Sequence, residues 1–196
     1  MAPLTVQGSV DACSRNDTLS IVGFVRSRSI ISALVTVTAL AAPLVAADAE
    51  AYVPLFVIER SVNKNVVHYD AKLRNGKLDP EQPVVAYWIM GEDGRRQELN
   101  LLERLRAYGF TVRPDKDPES FRLTIVSNKK LGIRVFRRGS AVRAEAMIGN
   151  CEAYLQKIFV AVKKSLLVGL PDYAEMIGTD VSTGSECHGR VTPADR

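Results

Sequence analysis

The amino-acid sequence predicts a mainly β domain, an antiparallel barrel or barrel-like sandwich of about eight strands with one short helix. Three observations support this prediction. Short segments in which apolar and polar residues alternate recur along the chain, turns rich in glycine and asparagine separate them, and one segment alone has helical spacing. We favour a closed barrel with the helix at one opening, because closure removes exposed strand edges.

The first quarter of the chain has the features of a secretory leader. An almost uncharged apolar run at 30–47 follows Arg26 and Arg28 and ends in the sequence ADA at 47–49. Basic residues, an apolar core and a small-x-small exit are typical of a signal peptide. Pro43 also interrupts a run that is shorter than the ~20 residues of a spanning helix. We expect export to the periplasm or the extracellular space, and retention of the run as a membrane anchor is the alternative.

The chain therefore divides into three predicted parts: a leader at 1–49, a single mainly β domain at 50–192 and a polar tail at 193–196. We expect cleavage after Ala49. The net charge of +4 is spread over the sequence without a run of five basic residues. Nucleic acid is therefore not a predicted partner.

Three cysteines and two histidines limit the redox and metal chemistry. Cys13 lies in the leader and Cys151 and Cys187 lie in the domain, while His68 and His188 are far apart in the chain. Without a CxxC pair or a Cys–His cluster, no metal site is predicted, and no cofactor is expected. After export, Cys151 and Cys187 would meet an oxidising compartment. They then form a disulfide or stay as two unpaired thiols, and both readings are open.

The first strands of the domain form a predicted hairpin. An apolar, β-branched segment at 55–59 and an alternating segment at 66–73 flank the polar turn at 61–65. Within the second segment, Tyr69 falls on one face and His68 on the other. A third strand at 83–90 is apolar on both faces, so we expect both of its faces to be covered.

One helix is predicted at 101–108. Asn100 and Glu103 have the spacing of a capping box, in which each side chain bonds the backbone amide of the other residue. Gly109 suits the end of the helix. The apolar residues that recur at helical spacing are Leu101, Leu102, Leu105 and Tyr108.

From Phe110 onward the alternation returns to a period of two, which indicates strands joined by hairpin turns. The predicted strands lie near 110–112, 121–125, 131–135, 142–148, 153–167 and 173–179. A turn at 183–184 would be the final hairpin turn.

Three blocks of the sequence carry a resemblance to a known family: LFVIERSVNKNVVHYDAKL at 55–73, PVVAYWIM at 83–90 and ELNLLERLRAYGF at 98–110. In this order they resemble a family of bacterial exported proteins, the domain of unknown function numbered 4833, over about residues 53–192. The resemblance implies an exported, mainly β domain. It implies no established activity and supplies no catalytic residues.

The corner after the first strand is one candidate site. Glu59 and Arg60 precede the turn that contains Asn63. A guanidinium is suited to bidentate recognition of a carboxylate or phosphate, and these side chains together would make a polar ligand pocket. The alternative is that they are hydrogen-bonding framework at a turn.

Aromatic side chains form a second candidate. Tyr69 with Tyr87 or Trp88 would make an aromatic wall for an apolar ligand, although Tyr87 and Trp88 point to opposite faces of one strand. Glu103 would act as a buried acid if the helix faces a barrel mouth. The alternatives are core packing for the aromatic residues and the capping box for Glu103.

A third candidate is a basic surface. Arg122, Arg134 and Arg143 lie on three consecutive predicted strands, where residues on one face become neighbours. Such a surface would contact an anionic membrane. The alternative is a solvated outer face.

These features favour a non-catalytic binding protein for a small apolar or amphipathic ligand. The alternative is an envelope-associated structural or protein-interaction domain. An enzyme is less favoured, because motifs such as GxSxG, HExxH and the phosphate-binding P-loop are absent.

Overall fold

The computed structural model describes residues 49–163 and 170–192. In this part of the chain there are twelve strands and one helix, so the mainly β prediction is confirmed. In chain order they are β1 (Glu50–Arg60), β2 (Val66–Arg74), β3 (Lys77–Leu78), β4 (Val84–Ile89), β5 (Arg96–Glu98), α1 (Leu101–Arg106), β6 (Phe110–Pro114), β7 (Ser120–Ile125), β8 (Asn128–Arg138), β9 (Ala141–Ile148), β10 (Cys151–Lys163), β11 (Leu170–Asp180) and β12 (Glu186–Val191).

All twelve strands belong to one sheet, whose main path runs β5-β4-β2-β1-β10-β9-β8-β7-β6. Neighbours in this path are antiparallel except β1 and β10, which are parallel. Strand β11 pairs with β10 and β12 continues from it, while β3 pairs with β2. The predicted hairpin of the first two strands is confirmed as β1–β2. It carries an irregularity in register between Pro54 and Phe56.

The sheet divides at β10. One edge of this strand pairs with β11 along nearly its whole length. The other edge pairs with β9 at Cys151–Tyr154 and with β1 from Lys157 to Val160. Two strands therefore share one edge of β10. Each of them begins one arm of the sheet. The first arm is β1-β2-β4-β5, and the second arm is β9-β8-β7-β6.

This division corrects the predicted closed barrel. The sheet curls into a half-barrel that stays open, and it has more strands than the expected eight. Strand β12 was not among the predicted strands, and the short strands β3 and β5 were missed because two or three residues carry no readable alternation. The path ends at β5 and β6 rather than joining them, and β5 has the exposed polar sequence Arg-Gln-Glu. Short polar edge strands resist edge-to-edge pairing without closure.

The core lies between the two arms. Tyr69 on β2 is fully buried, its ring stacks on Phe56 at 4.5 Å, and its hydroxyl donates to the Tyr108 carbonyl at 2.6 Å. Leu123 and Ile133 are fully buried on the facing arm. Because burial of an aromatic side chain contributes a few kcal/mol, these inward residues join the arms across the open half-barrel.

Helix α1 begins at the predicted residue and is shorter than predicted. The capping box is confirmed: Asn100 Oδ1 accepts from the Glu103 amide, and Glu103 Oε2 accepts from the Asn100 amide, both at 2.9 Å. The helix ends at Arg106, and no residue of it is buried. The leucines at helical spacing are exposed, at 73% for Leu101, 60% for Leu102 and 66% for Leu105.

A buried carboxylate holds the start of the domain together. Asp79 is completely buried, and its Oδ2 atom lies 3.0 Å from Arg74 Nη2 and 3.3 Å from Lys72 Nζ. Burial alone would raise the pKa of Asp79. The amide hydrogen bonds from Glu81 and Gln82 and the two cations outweigh it and lower the pKa. The network therefore needs ionised Asp79.

We expect Asp79→Asn to lower the free energy of unfolding at neutral pH, since it removes the anion between Lys72 and Arg74. The contribution of Asp79 is present above the unfolded pKa of about 4 and is lost as pH falls through the lower folded pKa. Urea unfolding from neutral pH to about pH 3 should therefore show the gap between variant and wild type narrowing. Glu81→Gln, an exposed neighbour 3.7 Å from Arg74, is the control and should behave as wild type. A gap independent of pH would contradict this account.

Candidate functional site

A cavity of about 720 Å³ opens between the two arms. Its walls are mainly aliphatic, and a few polar residues lie at its rim. The described lining residues are Ile58, Arg60, Val62, Leu102, Glu103, Arg106, Ala107, Tyr108, Ile125, Ser127, Asn128, Leu131, Ile158, Val160, Val162, Pro171, Ala174, Met176 and Val191.

The parallel pairing of β1 and β10 builds one wall. Ile58 lies opposite Ile158 and Arg60 lies opposite Val160 in this register. Side chains of alternate residues share one face of a strand, and partners in register share that face. Arg60 is therefore placed in a row of aliphatic side chains by the strand that carries it.

Arg60 is the polar residue of this wall, and it is half-buried. Its guanidinium carbon lies 4.8 Å from the centroid of the Trp88 ring and 5.8 Å from that of Tyr108. Among the residues that the structure describes, its Nε atom has no hydrogen-bond partner and its guanidinium has no ion-pair partner. Burial raises the pKa of Tyr108, and the Arg60 guanidinium offsets this only in part. The neutral phenol therefore persists beside the cation.

This arrangement has a clear electrostatic consequence. A charged group withdrawn from water without a counter-ion is costly, and an anion placed beside it offsets that cost. The aromatic rings stabilise the cation, and the guanidinium also hydrogen-bonds the Tyr108 hydroxyl, which leaves Nε as the donor without a partner. The cavity therefore offers an unused donor at one end of an apolar space.

The other polar residues at the rim are partly engaged with the protein. Glu103 accepts the Asn100 amide in the capping box. Asn128 Oδ1 accepts from the Leu131 amide at 3.3 Å. Arg106 is exposed in the last turn of α1 and has no ion-pair partner within the described ranges. The described lining thus carries two cations, Arg60 and Arg106, and one carboxylate, Glu103, so its net charge is positive.

The structure brings together three of the residues that the sequence singled out. Arg60 and Glu103 line the cavity, and Trp88 lies against Arg60. Glu59 points away from it and pairs with Lys157 at 3.5 Å. The Glu59–Arg60 corner is therefore split across two faces of the sheet.

The remaining residues of those candidates lie elsewhere. Asn63 is exposed and accepts from the Asn65 amide within the turn. Tyr69 is buried in the core described above and does not line the cavity. Tyr87 lies on the opposite face of β4 from Trp88, donates to Asp70 and has the Arg96 guanidinium 3.8 Å from its ring centroid. Burial and then the Asp70 carboxylate raise the pKa of Tyr87 to about 12.

The arginines of the predicted basic surface have acidic neighbours. Arg122 lies 3.3 Å from Asp115, and Arg134 lies 3.5 Å from both Asp115 and Asp117. Arg143 is exposed on β9. These pairs reduce the net positive charge of the surface around β7 and β8.

Cys151 at the start of β10 and Cys187 on β12 form a disulfide with a Cα–Cα distance of 6.4 Å. The two strands do not pair with each other, because β11 lies between them. The bond lies at the end of β10 that pairs with β9, away from the cavity lining.

Sequence reasoning missed the aliphatic walls and Tyr108 as site residues. Their signal was present in the alternation of β10, where Ile158, Val160 and Val162 share one face. The sequence did not show which distant strand faces them. The wall therefore became visible only through the pairing of β1 with β10.

These features define the class: a mainly β, open half-barrel domain with an apolar cavity between two arms of its sheet. The model of the family described as Domain of unknown function (DUF4833) matches residues 56–190, and the chain belongs to this family. Comparison with curated proteins and with solved structures finds no match. No helix in the described part of the chain is long and apolar enough to span a membrane.

Proposed function

We propose that this protein binds a small, mainly apolar or amphipathic ligand in the cavity between the two arms and does so without catalysis. The cavity itself carries the proposal. Its volume of about 720 Å³ falls within the range of roughly 300–1,000 Å³ that is usual for ligand sites. Aliphatic walls with a few polar groups at one side are also usual for such sites.

A binding role is favoured over an enzymatic one because the acidic side chain in the described cavity lining is engaged in the cap of α1. Glu103 is the carboxylate of the lining, and it accepts the Asn100 amide that begins α1. That bond fixes the carboxylate against the start of the helix. It is therefore poorly suited to serve as a general acid.

We further propose that the protein works outside the cytoplasm. The apolar run at 30–47 with its preceding arginines supports export. The Cys151–Cys187 disulfide is consistent with an oxidising compartment, since such bonds persist there and are rare in the cytosol.

The test is binding of N-phenylnaphthylamine, a neutral apolar fluorophore, to purified protein. We expect saturable binding to wild type with one site per chain. Ala174→Phe places a ring into the cavity from β11 and should weaken binding by about tenfold or more, about 1.4 kcal/mol. Ala51→Phe, an exposed position on β1, is the matched control and should bind as wild type. Far-ultraviolet circular dichroism checks the fold of both. Equal binding by all three proteins would contradict the cavity as the site.

A second candidate function is association with an anionic lipid bilayer through α1. The specific observation is its three exposed leucines, Leu101, Leu102 and Leu105, on a surface that also carries Arg104 and Arg106. Contiguous exposed apolar side chains mark interaction surfaces, and adjacent cations favour anionic lipid. Leu102 and Arg106 also line the cavity. A bilayer at this surface would therefore meet the cavity rim.

Cosedimentation with phosphatidylglycerol and phosphatidylcholine vesicles tests the bilayer contact. We expect binding to the anionic vesicles that falls with added salt. The double change Leu101→Ser with Leu105→Ser, neither residue in the cavity lining, should reduce the bound fraction severalfold. Met147→Ser removes a comparably exposed apolar side chain from β9 and is the control. Undiminished binding by the double variant, or binding indifferent to salt, would count against this candidate.

A further inference from the structure

We propose that the ligand carries a carboxylate, that the Arg60 guanidinium binds it, and that the ligand's hydrocarbon chain lies along the aliphatic walls. This inference rests on the proposed function and names its ligand class: a single-chain carboxylic acid. The observations that carry it concern Arg60 and its surroundings, and they are independent of the cavity's size.

The first observation is that Arg60 is held in place but not satisfied. Trp88 and Tyr108 contact the guanidinium at 4.8 and 5.8 Å from their ring centroids. The Nε atom is withdrawn from solvent and has no acceptor among the described residues. Buried donors in folded proteins are nearly always bonded. The position of this one in the lining of a cavity points to an acceptor supplied by a ligand.

The second observation is that the described residues supply no counter-ion to Arg60. The neighbouring acid, Glu59, lies on the opposite face of β1 and pairs with Lys157. The cavity acid, Glu103, is used in the cap of α1 and forms no ion pair with Arg60. Arg106 adds a second cation to the lining. Two arginines against one carboxylate leave the described lining with one net positive charge.

The third observation is chemical. A guanidinium presents planar, edge-on donors that match the two oxygens of a carboxylate. Its aromatic contacts stabilise the cation and leave the Nε donor unused. The aliphatic side chains of Ile58, Ile158 and Val160 continue from this point. One polar end and one apolar wall correspond to the two parts of a fatty acid.

The experiment compares dodecanoate with dodecanol, which share a chain and differ in the head group. Titration calorimetry at neutral pH, below the concentration at which dodecanoate forms micelles, gives both affinities. A hydrogen bond to a charged group corresponds to about a ten- to hundredfold change in affinity. We expect wild type to prefer dodecanoate by this factor, and Arg60→Met to lose the preference while keeping its affinity for dodecanol.

Two further variants separate charge, geometry and position. Arg60→Lys keeps the charge but lacks the planar donors, so we expect an intermediate preference. Arg113→Met removes an exposed arginine on β6, outside the cavity, and should bind both ligands as wild type. If Arg60→Met does not fold, Arg60→Lys carries the comparison.

Thermal unfolding distinguishes a ligand-binding role of Arg60 from a framework role, because a framework role predicts that Arg60→Met lowers the Tm. Because Arg60→Met replaces an unpaired cation by an apolar side chain of similar length, its Tm should be at least that of wild type. A large loss of Tm in this variant, with the dodecanoate preference intact, would overturn the inference.

The outcomes distinguish the two proposals. Equal affinity of wild type for dodecanoate and dodecanol overturns the carboxylate inference and leaves the apolar binding function standing. Absence of binding by either ligand, together with absence of N-phenylnaphthylamine binding, overturns both.

Discussion

The sharing of one edge of β10 between two strands is the constraint on which the rest of this structure depends. A strand has two edges, and β11 occupies one of them. Strands β9 and β1 take successive parts of the other. The sheet must therefore split into two arms, which cannot both continue in one surface. Their inner faces supply the core where they meet, and they leave a cavity where they diverge.

The same constraint explains the position of Arg60. As the last residue of β1, it lies opposite Val160, on the face of β10 that turns toward the cavity. A shift of one residue in the pairing of β1 with β10 would have placed Glu59 there instead. Holding an unpaired cation at such a position costs stability, and proteins tolerate costs of this kind mainly at functional sites. The division of the sheet at β10 and the chemistry of the guanidinium thus lead to one conclusion, an apolar site with a cationic end.

Local features of this chain could be predicted from its sequence. The β1–β2 hairpin follows from alternation around a polar turn, and the capping box follows from the spacing of Asn100 and Glu103. The open sheet could not be predicted, because the parallel pairing of Ile58 with Ile158 joins distant segments and leaves no local signal. The exposure of the leucines of α1 could not be predicted for a related reason: helical spacing identifies an apolar face but not whether anything packs on it. For the site, alternation separates Glu59 from Arg60, but only tertiary pairing shows which of the two faces the cavity.

The central claim is that Arg60 and the aliphatic walls form one ligand site. A crystal structure of the protein with dodecanoate brominated at its terminal carbon tests it most directly, because the anomalous signal of bromine identifies the end of the chain. The account predicts bromine among the aliphatic side chains of β10 and β11, with the carboxylate within hydrogen-bond distance of Arg60 Nε. Bromine outside the cavity, or a carboxylate directed to solvent with Arg60 still unpartnered, would contradict it.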